Sequence, residues 1–341
     1  MTIAARLIAP ALAFLLAAGT CAAAPAYIVG APIVLPDGRW DYASFDPAKR
    51  LVYIARSDTV SVVDPAHPDR VRSIGAIAHG HAAFALPGGD VLVVTSGQDN
   101  TVRLIDTADG HQTAAIAVDQ DPDFALFDPD SGTVLVMNAK AGTVAKIDPA
   151  AARVIATITL KPGLEAGAMV SPTLLAINNE DAGEIALVDV AQASAQGTIA
   201  LPGCSAPTGI AYVPELGATI SACANGKAAV VDVAARKLIA LMPIGLGPDA
   251  AIYDQPRQRV LIPCGKSGSI SVFSVGADKA LHAEPAILSG SGARTAAINP
   301  ADGTIYLPSA QFTPSSAPGS HGVAIVPGSA RLLRLTPAAG G

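Results

Sequence analysis

Residues Val102-Arg103-Leu104-Ile105-Asp106 form a short β-branched run that closes on an aspartate, and such a run occurs six times along the chain. The other five runs, the last of which closes on serine, are Val60–Asp64, Val144–Asp148, Ile185–Asp189, Ala228–Asp232 and Ile270–Ser274. Successive closing residues are 41 to 43 residues apart. A repeat of this length with several short strands is typical of a β-propeller blade. We expect the closing aspartates to cap turns through backbone N–H groups rather than to act in catalysis.

The repeats predict an all-β fold, a seven-bladed β-propeller with four-stranded antiparallel blades. Each repeat has a short apolar strand, a turn rich in Pro, Asp and Gly, a second apolar strand, the β-branched run and a weaker outer strand. The innermost strands are predicted to start near Asp41, His81, Asp123, Glu165, Pro207, Asp249 and Arg294. Residues 27–35 have strand character and belong to no other blade. We expect this N-terminal strand to join blade seven and close the ring, which removes exposed sheet edges.

Residues 1–24 have the composition of a secretory signal peptide. Arg6 is followed by an apolar stretch from Leu7 to Ala18 and then by small residues. This stretch is shorter than the roughly 20 residues that span a bilayer, which disfavours an uncleaved anchor. We therefore expect residues 25–341 to form a single propeller domain in the periplasm or outside the cell, with no transmembrane segment after cleavage. Its blade seven carries a long loop, about 311–328, which is either a lid or disordered.

Composition limits the partners. Hydrophobic residues make up 50% of the chain and charged residues 15%, which fits strands that are covered on both faces. The net charge of −6 disfavours nucleic acid, because nucleic-acid binding needs basic patches. We expect a monomer whose partner is a small ligand or another protein.

The candidate functional residues start the innermost strands. Because these strands line the central channel of a propeller, their first residues share one ring at the channel mouth. The ring holds Asp41, His81, Asp123, Glu165, Thr208, Asp249 and Arg294. Loops after the second strands open on the same face, and they place Asn178 and Glu180 nearest to the ring. We predict that these nine residues contact a ligand.

The chemistry of the ring supports more than one use. Carboxylates with one imidazole suit a divalent metal ion such as Ca²⁺, Mn²⁺ or Zn²⁺, for which Asp41, His81, Asp123 and Asp249 are the predicted ligands. Clustered carboxylates also repel one another, which raises pKa values and favours acid–base work. Arg294 can neutralise an acid or hold a substrate carboxylate or phosphate. A solvated channel whose acids only cap strand ends explains the same residues.

Three cysteines follow the signal peptide. Cys204 precedes the innermost strand of blade five and Cys223 ends its second strand, so one antiparallel turn brings them together. We predict a Cys204–Cys223 disulfide, which an oxidising compartment permits. Cys264, in the equivalent strand of blade six, is predicted to be a buried thiol. An alternative, a soft-metal site shared by Cys223 and Cys264, lacks further ligands.

The repeats resemble the YVTN-type, YncE-like β-propeller family of exported bacterial proteins. The strongest match is LVVTSGQDNTVRLIDT at residues 92–107, which is similar to the family's YVTN…NTVSVID repeat. Blades three and four keep the closing asparagine at Asn138 and Asn178, whereas blade one has Arg56. The resemblance implies the propeller fold but no defined activity. Related propellers include sugar-lactone hydrolases and streptogramin lyases.

Three functions fit these observations. The leading prediction is a binding or scaffold protein whose channel mouth holds a small polar ligand or a metal ion. The first alternative is a metal-assisted hydrolase or lyase of the lactonase-like kind, with Asp or Glu and His81 as acid–base groups. The second alternative is a protein–protein interaction scaffold without a small-molecule site. The fold alone does not choose among them.

Overall fold

A computed structural model describes residues 27–314 and 323–338. Two short strands, β1 (Tyr27–Val29) and β2 (Ile33–Val34), come before the first blade. Blade one contains β3 (Trp40–Asp46), β4 (Leu51–Arg56), β5 (Val60–Val63) and β6 (Arg72–Ile74). Blade two contains β7 (Gly80–Ala85), β8 (Val91–Ser96), β9 (Thr101–Asp106) and β10 (Gln112–Ala117). Blade three contains β11 (Pro122–Asp128), β12 (Thr133–Asn138), β13 (Thr143–Asp148) and β14 (Arg153–Thr159).

The next three blades have the same antiparallel order. Blade four contains β15 (Leu164–Met169), β16 (Leu174–Asn179), β17 (Glu184–Asp189) and β18 (Ser194–Ala200). Blade five contains β19 (Pro207–Val213), β20 (Ala218–Cys223), β21 (Lys227–Asp232) and β22 (Lys237–Pro243). Blade six contains β23 (Ile252–Asp254), β24 (Arg259–Cys264), β25 (Ser269–Val275) and β26 (Leu281–Leu288). A 3₁₀ helix (Gln255–Arg257) joins β23 to β24. In the part of the chain that is described, no helix is long and apolar enough to cross a membrane.

Blade seven closes the ring as predicted. It combines β27 (Ala297–Ile298), β28 (Ile305–Ser309) and β31 (Arg331–Pro337) with the N-terminal strands, because both β1 and β2 pair with β31. The predicted 311–328 loop contains a hairpin of β29 (Phe312–Pro314) and β30 (Val323–Ile325). Residues 315–322 and the predicted signal peptide lie outside the described residues, so the lid and the signal peptide stay predictions.

The hydrophobic core is divided into layers between neighbouring blades. Buried side chains form seven clusters, and each cluster joins two adjacent blades. For example, Tyr53 and Val62 of blade one pack with Leu92 and Ile105 of blade two. Both faces of the second strands are covered, so strands such as β12 and β20 are buried along their whole length, which fits the hydrophobic composition, whereas outer strands such as β14 alternate.

The closing aspartates of the β-branched runs cap turns, as predicted. Asp148 Oδ1 accepts hydrogen bonds from the backbone N–H groups of Ala150 and Ala151, both at 3.0 Å. Equivalent contacts are made by Asp64, Asp106, Asp189 and Asp232. These carboxylates therefore satisfy turn donors between the third and fourth strands.

Candidate functional site

Five of the seven ring residues lie at irregularities in the innermost strands. In blades one to five, the first residue of that strand pairs with the end of the second strand, and the register then shifts. The first residue in this gap is, in blade order, Asp41, His81, Asp123, Glu165 and Thr208. A β-bulge takes a residue out of the ladder and re-aims its side chain. The bulges thus turn these side chains toward the channel.

The innermost strands of blades six and seven start later than predicted, at Ile252 and Ala297 rather than near Asp249 and Arg294. Pro248 still forms a single bridge with Cys264, as the first residue does in the other blades. The N–H group of Ala250, however, donates to the carbonyl oxygen of Arg294 at 3.1 Å. The Ala250 N–H group is thus used between blades six and seven, and regular pairing with β24 begins at Ile252.

His81 lies between two carboxylates at the centre of the site. Its Nδ1 is 2.8 Å from Asp41 Oδ2 and 2.7 Å from Asp123 Oδ1. Burial alone would lower the pKa of His81, but the hydrogen bonds to Asp123 and Asp41 raise it to about 10. The imidazole is therefore a cation at neutral pH that donates one N–H group to both carboxylates.

Arg294 forms a second charged group, which shares Asp41 with the first. Its Nε lies 2.6 Å from Asp249 Oδ2, and its Nη2 lies 3.4 Å from Asp41 Oδ1. Asp41 thus accepts from Arg294 through one carboxylate oxygen and from His81 through the other. The Arg294 side chain remains 45% exposed, so part of its guanidinium faces solvent.

The ring places four acids beside two cations, and burial makes it costly for all four acids to ionise together. Burial raises the pKa of Glu165 to about 10, and the charges of Asp123 and other acids add to the rise. Burial and the charge of Asp41 raise the pKa of Asp249 to about 7, although Arg294 opposes this. Burial also raises the pKa of Asp123 against the opposing effect of His81. Glu165 is therefore protonated at neutral pH and Asp249 ionises only in part, and a cation bound at the channel mouth would favour the ionised form of both.

Two aromatic side chains span the channel next to the ring. Tyr42 follows Asp41 and Phe124 follows Asp123, and their rings meet edge to face with centroids 4.9 Å apart. The Tyr42 hydroxyl donates to the carbonyl oxygen of Asp249 at 3.0 Å, so Tyr42 reaches from blade one to blade six. Burial and the surrounding carboxylates raise the pKa of Tyr42 well above its usual range. Tyr42 thus links the ring residues of blades one, three and six beneath the channel mouth.

The remaining predicted ligand contacts differ in what they touch. Thr208 Oγ1 lies near two backbone carbonyl oxygens, of Ala222 at 3.4 Å and Pro248 at 3.5 Å. Asn178 is fully buried, and its amide donates to the carbonyl oxygens of Thr208 and Gly209 while it accepts from Ser221. The structure thus gives Asn178 a bridging contact between blades four and five.

Glu180 stands beside the ring. Burial raises its pKa, and the charges of Asp181 and Asp123 raise it further. The structure therefore puts Glu180 within electrostatic reach of the ring carboxylates. Ligand contacts of Thr208, Asn178 and Glu180 stay predictions.

Sequence reasoning missed three residues beside His81. Asp121 Oδ1 lies 3.8 Å from the buried His81 Nε2, and Asp121 Oδ2 pairs with Lys140 Nζ at 2.9 Å. A Cβ atom at Gly97 would lie 2.7 Å from Asp121 Oδ1 and 2.9 Å from His81 Nε2, so the glycine makes room for both side chains. The Asp-Pro-Asp sequence at residues 121–123 could have indicated Asp121, because it places a second acid two residues before the ring residue Asp123.

The donor set at His81 fits a divalent cation. One ligand atom from each of Asp41, His81 and Asp123 lies within 4.8 Å of the other two. Two carboxylates and one imidazole suit Mn²⁺ or Zn²⁺, once the imidazole has lost its Nδ1 proton. Asp249, the fourth predicted ligand, does not join this group, because its carboxylate pairs with Arg294. A second group, Asp106, Asp109 and His111, lies on an exposed turn of blade two.

The disulfide prediction is confirmed. Cys204 and Cys223 are bonded, with their Cα atoms 5.3 Å apart. Cys264 is a free buried cysteine, also as predicted. The alternative of a soft-metal site shared by Cys223 and Cys264 is wrong, because Cys223 has no free thiolate to offer.

Fold and site together define a seven-bladed β-propeller with a charged ring at one channel mouth. No protein-family model matches the chain, and no curated protein is similar to it. The fold is similar to a chain of the mitotic checkpoint complex, with a TM-score of 0.72, 13% identity and coverage of 98% of this chain and 99% of that chain. Hydrazine synthase of Kuenenia stuttgartiensis gives a TM-score of 0.67 and 14% identity over 92% of this chain and 99% of that chain. A streptogramin B lyase gives a TM-score of 0.70 and 12% identity over 92% of this chain and 98% of that chain. At these identities the likeness concerns the fold alone.

Proposed function

We propose that this protein is an exported binding protein that holds a divalent metal ion at the channel mouth. The observation that carries the proposal is the convergence of Asp41, His81 and Asp123 at hydrogen-bonding distance, with ligand atoms from three different blades. His81 of blade two contacts acids of both neighbouring blades, so the site depends on how these three blades pack together. Glu165 and Asp249, whose raised pKa values keep them wholly or partly protonated at neutral pH, can ionise when a cation binds and so add to its attraction.

The metal ion takes the place of the proton that His81 now shares with the two carboxylates. A neutral imidazole and two carboxylates fill three positions, which leaves further coordination positions for water or a ligand. The carboxylates suit Mg²⁺, Ca²⁺ and Mn²⁺, and the imidazole suits Zn²⁺ and its neighbours, so Mn²⁺ and Zn²⁺ satisfy both. Asp121 stands near Nε2, where it can orient the ring of a metal-bound His81.

Export is part of the proposal. The Cys204–Cys223 disulfide supports it, because such bonds persist in oxidising compartments. The apolar segment before residue 19 and the YVTN-like repeats point to the periplasm or the cell exterior. Membership of the YVTN-repeat family is proposed on the same repeats.

A metal-assisted hydrolase or lyase is the second candidate, and one observation favours it. Asp249 has a pKa raised to about 7 by burial and by Asp41, which suits a group that exchanges a proton at neutral pH. Arg294 contacts both Asp249 and the metal ligand Asp41, so the carboxyl group of Asp249 would lie beside the metal site. If a substrate is found, a loss of turnover in Asp249→Asn with retained metal binding supports catalysis, and unchanged turnover excludes Asp249 as the acid–base group.

Metal content tests the leading proposal. The protein is exported to a periplasm, purified without chelator and assayed by elemental mass spectrometry, then stripped and titrated with Mn²⁺ and Zn²⁺ by calorimetry. We expect about one equivalent in the wild type and at least tenfold weaker binding in Asp123→Asn. The matched control is Asp109→Asn in the exposed surface group, which should bind like the wild type. Equal binding by Asp123→Asn and the wild type, or no metal in either, would overturn the proposal.

A further inference from the structure

We propose that the metal ion is bound together with a small dicarboxylate, one carboxylate of which coordinates the metal while the other pairs with Arg294. This inference rests on the proposed metal site. It assigns a ligand class to the open side of that site and gives Arg294 a role beyond neutralising Asp249.

The position of Arg294 supports the inference. Its guanidinium contacts Asp41 Oδ1 at 3.4 Å, and the other oxygen of the same carboxylate contacts His81. A metal ion held by Asp41 and His81 would therefore be separated from the guanidinium by the carboxylate of Asp41. Malonate-sized molecules, whose two carboxylates are separated by one or two carbons, can bridge such a pair of charges.

The guanidinium has capacity for a further acceptor. Arginine carries five N–H donors in a planar fork, and the contacts of Arg294 to Asp249, Asp41 and the Trp40 carbonyl oxygen use Nε and Nη2. The side chain is 45% exposed, whereas the Asp41 and Asp249 side chains are 17% and 19% exposed. Arg294 is thus the member of its group that is most open to solvent at the mouth.

Electrostatics orders the two binding events. The ring disfavours further negative charge, because four acids lie beside two cations and burial and mutual repulsion already keep Glu165 protonated. A divalent cation at His81 offsets that charge and supplies the inner coordination partner. Arg294, with 45% of its side chain exposed, is then open to the second carboxylate of a molecule whose first carboxylate meets the metal ion.

The test uses Mn²⁺ and malonate with the full mature protein. Bound Mn²⁺ is followed by electron paramagnetic resonance, and malonate is added at concentrations that leave the ion on the protein. We expect malonate to change the spectrum of bound Mn²⁺ in the wild type, and not to bind the stripped protein in calorimetry. Arg294→Gln should bind malonate at least tenfold more weakly while it holds Mn²⁺ no less tightly, because it loses a competing cation. Arg72→Gln, which removes an exposed arginine from the outer strand of blade one, is the matched control and should behave like the wild type.

The outcomes separate the two proposals. If Mn²⁺ does not bind the wild type, the proposed function fails and this inference fails with it. If Mn²⁺ binds but malonate leaves its spectrum unchanged, only the inference fails. Equal malonate affinity in Arg294→Gln and the wild type, tight malonate binding without metal, or loss of Mn²⁺ from Arg294→Gln each overturns the role assigned to Arg294.

Discussion

Glu165 should make the metal-free protein less stable as pH rises, and its isosteric replacement Glu165→Gln should remove that effect. Burial and the neighbouring acids raise the pKa of Glu165 from 4.5 to about 10 in the folded protein. At a pH below the unfolded pKa, the carboxyl group is protonated in both the folded and the unfolded protein, so it does not destabilise the fold. Above the unfolded pKa, the unfolded state gains stability with each pH unit until the folded pKa is passed.

The size of the effect follows from the same pKa values. Each pH unit between the two pKa values is worth about 1.4 kcal/mol, so the difference at pH 7 is about 3 kcal/mol. For a chain of this size, we expect Glu165→Gln to raise Tm by roughly 5 °C at pH 7 in the presence of a chelator, and to leave it nearly unchanged at pH 4.5. Glutamine keeps the shape of the side chain and carries no charge, so packing is preserved.

Thermal melts at pH 4.5 and pH 7 measure this difference. Asp69→Asn, which neutralises an exposed acid of an outer turn in blade one, is the control and should melt like the wild type at both pH values. A Tm of Glu165→Gln at or below that of the wild type at pH 7 would refute the reasoning. An equal gain at both pH values would also refute it, because that gain could not arise from ionisation.

Four further predictions follow from the described contacts. Cys223→Ser should destabilise by about 3 kcal/mol in the chain-entropy model, because the disulfide joins residues 19 apart; urea titration without reductant measures this, and an unchanged midpoint would exclude it. Asp148→Ala should destabilise by about 1 kcal/mol through the loss of two turn hydrogen bonds, and a serine at that position should restore part of the loss in the same titration. Gly97→Ala should displace His81 and weaken metal binding at least tenfold in calorimetry, since the added Cβ would stand 2.9 Å from Nε2; wild-type affinity would contradict this. Metal affinity should rise about tenfold per pH unit between pH 6 and 8, because His81, whose pKa is about 10, must first lose its proton; a flat pH profile would show that His81 is not a ligand.

The repeat pattern predicted the blades because blade structure is local. The spacing from Asp64 to Ser274 sets the length of a blade, and the predicted starts of the innermost strands gave seven blades. The strand character of residues 27–35 identified the segment that closes blade seven. The disulfide was also predictable, since Cys204 and Cys223 flank one antiparallel hairpin. In each case the contact is made within one blade or its closing strand, so the position in the repeat determines the neighbour.

Contacts across the channel were not predictable in the same way. The register of a repeat places a residue around the axis, but the length and direction of its side chain decide what it reaches on the other side. Tyr42 of blade one therefore meets the backbone of Asp249 in blade six, and Asp249 pairs with Arg294 instead of joining the predicted metal ligands. The repeat pattern predicted Asn178 next to the ring, but its side chain lies in the interface between blades four and five, because its amide donates to backbone carbonyl groups there.

Two sets of equivalent positions in the repeats behave differently, and the difference bears on function. The turn that follows the β-branched run has the same local requirement in every blade, and an aspartate fills it five times out of six. The ring position lies at the bulge of the innermost strand in blades one to five and shortly before that strand in blades six and seven, yet it holds Asp, His, Asp, Glu, Thr, Asp and Arg in turn. A structural need at the bulge would favour one residue type in all blades, as it does at the turn. A single ligand on the axis meets each blade from a different side, and so requires a different group from each. The variety of the ring, in which Asp41 and Asp123 hold His81 while Asp249 and the shared Asp41 hold Arg294, therefore supports one shared site better than seven separate strand caps.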